Sequence, residues 1–213
     1  MKASQMHLLG AGLLLLASAG LAWYGQPGPG EKWQFLADEL GPRLTERRVY
    51  IEPAELMALM HDDYIDLLLI DVRDERDWNL FHLWGAERIE PAALPKHRQR
   101  FAALGDNGVV VFVGNDEAAA TEAWKLTMAS ASQPNAYILA GGINRWLTEY
   151  SPDAHHSPHV DSGDPDDKLR HHIEWALGSR HPAALPDVHH GKTRDFPRKV
   201  RLQKRVVKKG GCG

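Results

Sequence analysis

Three continuous apolar runs lie in the middle of the chain, and polar segments separate them. The runs are residues 67–70 (Leu-Leu-Leu-Ile), 109–112 (Val-Val-Val-Phe) and 136–139 (Ala-Tyr-Ile-Leu). Short apolar runs bounded by turn residues are typical of buried strands. Between the second and third runs, residues 117–131 predict a helix. The pattern therefore predicts strands that alternate with helix, as in α/β domains.

Polar or glycine-containing turns follow each predicted strand. Asp-Val-Arg (71–73) and His-x-x-Gly-Ala (82–86) come after the first strand, and Gly-Gly (141–142) comes after the third. Paired glycines suit a strand exit where the backbone needs positive φ angles. The notable residues of these two turns are Asp71, Arg73, His82, Gly85, Gly141 and Gly142. The turn after the second strand consists of Val113, Gly114, Asn115, Asp116, Glu117 and Ala118.

In this order and at these separations, the motifs resemble the rhodanese-like family. The last motif extends to Leu-x-Gly-Gly-x-x-x-Trp (139–146), and the predicted helix adds Ala120, Ala123 and Leu126. The resemblance covers about residues 49–150, which is a domain of ordinary size. It implies a three-layer α/β domain with a central, mainly parallel sheet. It also implies a cysteine directly after the second strand, whose thiolate accepts a sulfur atom as a persulfide.

Val113 occupies the position at which the resemblance implies that cysteine. The only cysteine among the 213 residues is Cys212, one position from the end of the sequence. A hydrocarbon side chain has no lone pair with which to attack sulfur. We therefore predict that the domain has no catalytic residue, is not an enzyme and needs no cofactor. The expected role is a binding or scaffolding module for a protein partner that the sequence does not identify.

The charge of the turn at 113–118 supports the same prediction. A sulfur-transfer loop must hold an anion, which backbone N–H groups and cations favour. This turn instead carries Asp116 and Glu117. We expect Asp116 to cap the following helix and to occupy N–H groups that would otherwise bind a ligand.

The remaining motif residues are expected to be scaffold. Asp71 and Arg73 stand two positions apart at a strand end, where an ion pair would fix the neighbouring turn. With no nucleophile to activate, His82 is expected to hold the loop through a hydrogen bond or to pack beside Trp84.

The first 25 residues form a separate apolar unit. Leu8 to Tyr24 is a run of 17 residues without charge, closed by an aromatic pair. It predicts a single membrane-spanning signal anchor, and Ala17-Ser18-Ala19 leaves a cleaved signal peptide as the alternative. Lys2 before the run weakly favours an inside N-terminus, so the domain is expected on the periplasmic or outer side of the cell membrane. Residues 26–48, which begin with a Pro/Gly-rich breaker, predict a linker.

Residues 151–191 are rich in histidine, aspartate and proline and predict a largely irregular linker. Within it, residues 168–177 could form a short helix that docks on the domain. The histidine pairs of this region are His155-His156, His171-His172 and His189-His190. Imidazole is a common ligand of transition metals, so a metal-binding protein is one alternative function. Adjacent histidines lack a regular metal-ligand spacing, and we assign no metal site.

Residues 192–213 form a basic tail that ends Gly-Gly-Cys-Gly. It carries nine basic side chains and one acidic side chain, although the whole chain has a net charge of -3. Such a tail is suited to solvent or to anionic lipid headgroups. It lacks the interleaved aromatic residues of a nucleic-acid surface, which disfavours nucleic acid as a partner. A second alternative function is a sulfur-carrier or redox role for Cys212, whose thiolate the neighbouring Lys208 and Lys209 would favour.

Overall fold

A computed structural model describes residue 18 and residues 27–131, 135–151, 155–156, 167–187 and 196–202. Of the predicted membrane span, only Ser18 falls within these residues. Cys212, His189 and His190 lie outside them. No helix in the described part of the chain is long and apolar enough to cross a membrane.

The domain is built from short strands and helices that alternate along the chain. The α-helices are α1 (Pro29–Thr45), α2 (Pro53–Met60), α3 (Glu75–Leu80), α4 (Arg98–Ala102), α5 (Ala118–Ser130) and α6 (Gly142–Tyr150). Two 3-10 helices cover Pro91–His97 and Pro182–Ala184. The strands are β1 (Tyr50–Ile51), β2 (Asp66–Asp71), β3 (Glu87–Arg88), β4 (Gly108–Val113), β5 (Ala136–Leu139), β6 (His155–His156) and β7 (His171–His172).

The central sheet has the order β1-β5-β4-β2-β3, and all of its neighbouring strands are parallel. The three apolar runs identified in the sequence are β2, β4 and β5, so the predicted parallel sheet is confirmed. Strands β2 and β4 pair from Asp66↔Gly108 to Asp71↔Val113. They therefore end at the same level, and Asp71 lies beside Val113 at the carboxyl edge of the sheet.

Both faces of the sheet are covered by helices. Along β4, Val109, Val111 and Val113 face one hydrophobic core, while Val110 and Phe112 face the other. The first core is completed by apolar residues of α2 and α6, and the second by those of α1, α4 and α5. This arrangement explains why the strands are continuous apolar runs, because a strand buried on both faces has no solvent side to alternate with.

Helix α1 replaces the linker predicted for residues 26–48, and that prediction is wrong. Pro29 begins the helix, and proline is favourable in a first helical turn because its missing N–H has no partner there in any case. The Glu31 side chain accepts a hydrogen bond from the backbone N–H of Gly28 at 2.9 Å and so fixes the start of the helix. The Pro/Gly-rich sequence therefore marks where this helix begins and does not continue as an irregular linker.

The C-terminal extension also packs on the domain more than the sequence predicted. Residues 168–177 do not form the expected helix; β7 is their only regular element, and it pairs antiparallel with β6. Further along, the indole N–H of Trp146 donates to the carbonyl oxygen of Ala183 at 2.7 Å. Residues 167–187 are therefore largely irregular, as predicted, but the domain binds their backbone groups and apolar side chains, so they are not a free linker.

The first part of the basic tail is anchored as well. The Glu55 carboxylate accepts hydrogen bonds from the backbone N–H groups of Lys199 and Val200, at 2.7 and 2.8 Å. Val200 is buried in the same core as Trp146. Burial raises the pKa of Glu55, and the two N–H donors partly oppose this effect. Residues 196–202 therefore belong to the folded unit, and a wholly solvated tail is not what the structure shows for them.

The packing of α1 can be tested with two neighbouring aromatic residues. The ring of Trp33 meets that of Trp124 on α5 edge to face, with centroids 5.9 Å apart, whereas Phe35 is 82% exposed. Trp33→Ala should lower the free energy of unfolding by about 2–4 kcal/mol through lost burial and the lost aromatic pair. Phe35→Ala, the matched control, should change it by less than about 0.5 kcal/mol. Equal effects in thermal or urea unfolding would contradict the packed helix.

Candidate functional site

The candidate site lies at the carboxyl edge of the sheet, where β2, β4 and β5 end together. In parallel sheets this edge commonly carries the functional loops. Residues 113–118 run from the last residue of β4 to the first residue of α5 and are hereafter called the β4–α5 loop. It is the position at which the family resemblance predicts sulfur chemistry, and its contacts determine what the site can do.

Val113 ends β4 with its side chain fully buried. The side chain belongs to the core between the sheet and helices α2 and α6. Its carbonyl oxygen accepts a hydrogen bond from the N–H of Val72 at 3.0 Å, which joins the ends of β4 and β2. This residue is therefore part of the packing of the domain, and it presents no reactive group to the loop.

The N–H groups at the N-terminus of helix α6 donate hydrogen bonds to carbonyl oxygens of the β4–α5 loop. The Gly114 carbonyl oxygen accepts from Ile143 N–H at 2.9 Å, and the Asn115 carbonyl oxygen accepts from Asn144 N–H at 3.0 Å. Gly142 has a φ of 56°, and a Cβ there would collide with the carbonyl oxygens of the loop. The paired glycines thus permit both the turn and the close approach that these hydrogen bonds need.

The Glu117 side chain links the loop to Gly141 and Arg47. Its carboxylate accepts from Gly141 N–H at 2.8 Å and forms a paired interaction with the Arg47 guanidinium, at 2.6 and 2.9 Å. Burial alone would raise the pKa of Glu117, but the hydrogen bonds and charge of Arg47 lower it below its ordinary value. Glu117 is therefore an ionised structural link, and its charge is matched by a cation that the sequence analysis did not place at the site.

A buried ion pair lies directly beside the loop. The Arg73 guanidinium donates to the Asp71 carboxylate at 2.6 and 2.9 Å, and both side chains are 1% exposed. The same guanidinium donates to the carbonyl oxygen of Phe81 at 2.6 Å and to the side-chain oxygen of Asn115 at 3.2 Å. The expected pair at the strand end is present, and it also brings a buried positive charge to the loop.

Asn115 connects this pair to the rest of the site. Its side-chain amide nitrogen donates to the Asp77 carboxylate at 2.6 Å and to the Asp167 carbonyl oxygen at 3.1 Å. Asn115 is itself buried, so these bonds satisfy polar atoms that water does not reach. The loop is therefore tied both to α3 and to the C-terminal extension.

The carboxylate of Asp167 binds the N–H groups at the start of α5. One oxygen accepts from Asp116 N–H at 2.9 Å, and the other accepts from Ala119 N–H at 3.2 Å. A Cβ at Gly114 would lie 3.0 Å from the second oxygen, so glycine leaves the space that the carboxylate occupies. We call these two N–H groups and the space over Gly114 the cradle. An anion sits in it, and that anion belongs to the chain itself.

The capping predicted for Asp116 is correct in part. The Asp116 carboxylate does accept from Ala118 N–H at 2.8 Å. However, the residue that flanks the helix is Glu117, whose side chain does not cap it, and Asp167 supplies the acceptor for the Asp116 and Ala119 donors. Asp116 therefore occupies one donor of the first helical turn, as expected, and a residue from another part of the chain occupies the next.

The Asp167 carboxylate is in a costly environment for an anion. Burial raises its pKa, the nearby Asp116 carboxylate raises it further, and the loop N–H groups act in the opposite direction. The Arg170 guanidinium lies 3.8 Å from the Asp116 carboxylate and offsets part of this negative charge. Directed hydrogen bonds from the loop therefore hold the Asp167 carboxyl group against the cost of its burial.

His82 holds its own turn, as expected, but against a different tryptophan. Its ring stacks on Trp78 with centroids 3.6 Å apart, and its Nδ1 lies 2.9 Å from the Trp78 carbonyl oxygen. Trp84, the predicted neighbour, is 59% exposed. His82 lies four positions after Trp78, so the turn at the end of α3 brings the two rings together. Gly85, further along this turn, has a φ of 74°, which favours glycine.

The structure brings two of the three histidine pairs together, His155-His156 and His171-His172. The β6–β7 ladder places His155 opposite His172 and His156 opposite His171. The His171 ring is buried, and its Nε2 lies 2.8 Å from the Asn144 carbonyl oxygen, so this nitrogen holds β7 against α6. Within the described ranges, no three histidine, cysteine or acidic side chains are grouped so that they could bind a metal ion.

Besides Arg47 and Arg170, the sequence analysis missed three residues whose side chains bind the site. Asp77 and Asn144 lie within residues 49–150, the region that resembles the family, but they are not motif residues. Asp167 lies outside that region. Asp167 is one of several acidic residues in the run Asp-Pro-Asp-Asp at 164–167, and no local pattern distinguishes it from the others. Its role depends on a contact between distant parts of the chain.

The buried ion pair gives a test of what holds the site. Asp71→Ala leaves the Arg73 charge buried without its partner, which should cost about 3–5 kcal/mol of unfolding free energy. The matched control is Glu87→Ala, which removes a surface partner of Arg100, where the two side chains are 43% and 46% exposed. That change should cost no more than about 1 kcal/mol. Urea denaturation of both variants would refute a structural role for the pair if the two costs were equal.

Solved structures with similar folds share little sequence with the chain. A protein from Bacillus halodurans is 22% identical, with 53% of this chain and 81% of that chain covered and a TM-score of 0.40. A rhodanese-like domain protein from Staphylococcus aureus is 16% identical, with 46% and 89% covered and a TM-score of 0.39. The single domain sulfurtransferase RDL2 of Saccharomyces cerevisiae is 18% identical, with 46% and 87% covered and a TM-score of 0.38.

The sequence itself gives the assignment. No curated protein matches the chain. The family model described as the Rhodanese-like domain matches residues 52–149, which run from the residue before α2 almost to the end of α6. Residues 52–149 of this chain are therefore a rhodanese-like domain.

Proposed function

We propose that the chain is a rhodanese-like protein that does not transfer sulfur and that serves as a binding or scaffolding module. The observation that carries this proposal is Val113. Sulfur transfer requires a thiolate that attacks the donor and then carries the sulfur as a persulfide. At the family position for that thiolate, the chain has a fully buried hydrocarbon side chain that packs in the core.

The filled cradle supports the proposal independently. In a sulfur-transfer loop, backbone N–H groups at a helix N-terminus stabilise the anionic sulfur and the departing group. Here the N–H groups of Asp116 and Ala119 already bind the carboxylate of Asp167. A substrate anion would have to displace this carboxylate and would then meet the charge of Asp116, which the Arg170 guanidinium 3.8 Å away offsets only in part.

The rigidity of the loop favours a binding role. Its carbonyl groups are bound by α6, its Glu117 side chain is bound by Arg47, and its Asn115 side chain is bound by Arg73 and Asp77. A surface fixed by so many buried hydrogen bonds loses little further conformational entropy when it binds a partner.

The location of the module is proposed from the sequence. The apolar run at residues 8–24 would anchor the chain in the cell membrane by a single span, with the domain on the periplasmic or outer side. The cationic end of the tail, beyond residue 202, would lie near anionic lipid headgroups if the domain stays close to the membrane.

The direct test is an assay of sulfur transfer from thiosulfate to cyanide. The full-length chain in detergent should form thiocyanate no faster than the reaction without protein. Cys212→Ser should behave identically, which excludes a contribution from the single thiol. Turnover that persists in Cys212→Ser would contradict the proposal, because no other sulfur nucleophile is present.

Restoring the cysteine separates the two causes of inactivity. Val113→Cys should give little activity, because the new thiol points into the core and the cradle remains filled. Val113→Cys combined with Asp167→Ala should be the more active variant if the carboxylate contributes to the block. Both variants are made in the Cys212→Ser background, and thermal unfolding checks that each is folded. Full activity from Val113→Cys alone would show that the cradle is not occluded.

A further inference from the structure

Residues 167–173 lie on the domain as an extended peptide that the side chains of the domain hold. This stretch, hereafter the docked segment, follows the family-matched region in the chain and is not part of the central sheet. Its backbone, its first side chain and its apolar side chains are each bound by a different part of the domain. Those three sets of contacts together define a recognition surface.

Asn144 binds the backbone of the docked segment at two points. Its side-chain nitrogen donates to the Lys168 carbonyl oxygen at 2.8 Å, and its side-chain oxygen accepts from Arg170 N–H at 2.7 Å. These two backbone groups flank Leu169 in the way that a neighbouring strand would contact them. Such main-chain pairing is a general way to hold an extended peptide, and it does not depend on the side chains at either position.

The cradle and the core supply side-chain selectivity. The carboxylate of Asp167 enters the cradle, where Gly114 leaves room for it and two N–H groups bind it. Leu169 and Ile173 are partly buried against the core that contains Trp146. These contacts select an acidic residue followed two positions later by an apolar one, and the buried His171 ring adds a contact between its Nε2 and the Asn144 carbonyl oxygen at 2.8 Å.

We infer that the β4–α5 loop and Asn144 form a binding groove for an extended peptide that carries a carboxylate followed two residues later by an apolar side chain. The docked segment is its resting occupant, and a partner segment of the same chemistry binds by replacing it. This inference rests on the proposed function as a binding module and names the class of its partner.

The chain's own segment competes with any free peptide for the groove. A tethered ligand acts at an effective concentration on the order of millimolar, so a free peptide must compete against it. The apparent affinity for a partner is lower than the intrinsic affinity by the fraction of molecules in which the groove is free. Weakening the resting occupant without changing the groove should therefore increase binding of a peptide supplied in trans.

The test uses the full-length chain in detergent and a fluorescent peptide of residues 167–175, with binding measured by fluorescence anisotropy. Asp167→Ala removes the carboxylate from the tethered competitor and leaves the cradle intact. It should bind the peptide at least about 10-fold more tightly than the wild-type chain, because the competitor loses two charge-assisted hydrogen bonds. Glu174→Ala removes an exposed carboxylate from the neighbouring stretch and should bind as the wild-type chain does.

Two further arms identify the contacts. A peptide with alanine in place of Asp167 should lose most of its binding to the Asp167→Ala chain, and adding Asn144→Ala to that chain should abolish binding of the original peptide. Leu169→Ala weakens the tethered competitor away from the cradle and should shift binding in the same direction as Asp167→Ala. Thermal unfolding shows whether Asp167→Ala folds. If it does not, Leu169→Ala provides the same test.

Each contrary result has a distinct meaning. Equal binding by the wild-type, Asp167→Ala and Leu169→Ala chains, or none by any of them, would overturn the groove. Binding of sulfate but not peptide by Asp167→Ala would show a simple anion site and would also overturn it. Sulfur transfer is measured in the same wild-type preparation. Its presence would contradict the proposed function, whereas its absence together with no peptide binding would overturn this inference alone.

Discussion

The Asp167 carboxylate binds the backbone N–H of Asp116 in the β4–α5 loop and that of Ala119 in the first turn of α5. The first turn of every α-helix leaves such donors unpaired, and their partial positive charge attracts an anion. In this chain the anion is a side chain that lies 48 residues beyond Ala119 in the sequence. This interaction joins the β4–α5 loop to the C-terminal extension and fills the space over Gly114 that another anion would need.

The carboxylate fits only because the loop beneath it is fixed. Gly142 lets α6 approach closely enough to bind the carbonyl groups of the loop, and Gly114 leaves room on the opposite side. The buried pair of Arg73 and Asp71 holds the Asn115 side chain in place. The chain thus fixes the β4–α5 loop through glycine-permitted contacts and a buried ion pair, and Val113 contributes only a buried hydrocarbon side chain to it.

The sequence predicted the parts of the fold that local pattern controls. Strands β2, β4 and β5 are continuous apolar runs, and the positive φ angles of the paired glycines follow from their position after β5. Strands β1 and β3 were missed because each has two residues, too few to show a period. Helix α1 was missed because the Pro/Gly sequence that starts it was interpreted as the start of a linker.

The docked segment shows where such reasoning fails. The apolar residues Leu169, Ile173, Trp175, Ala176 and Leu177 predict a short helix over residues 168–177. The segment is extended because Asn144 binds its backbone and Asp167 reaches the cradle, and both contacts join parts of the chain that are distant in sequence. Tertiary contacts of this kind override local propensity, and a single sequence does not reveal them.

Hydrogen exchange at the cradle tests the central claim most directly. The N–H groups of Asp116 and Ala119 should exchange slowly in the wild-type chain, because their acceptor is a buried carboxylate. In Asp167→Ala both should exchange at least about 10-fold faster, while amides in β4 keep their protection and Glu174→Ala behaves as the wild-type chain. Equal exchange of these two amides in the wild-type and Asp167→Ala chains would contradict the account.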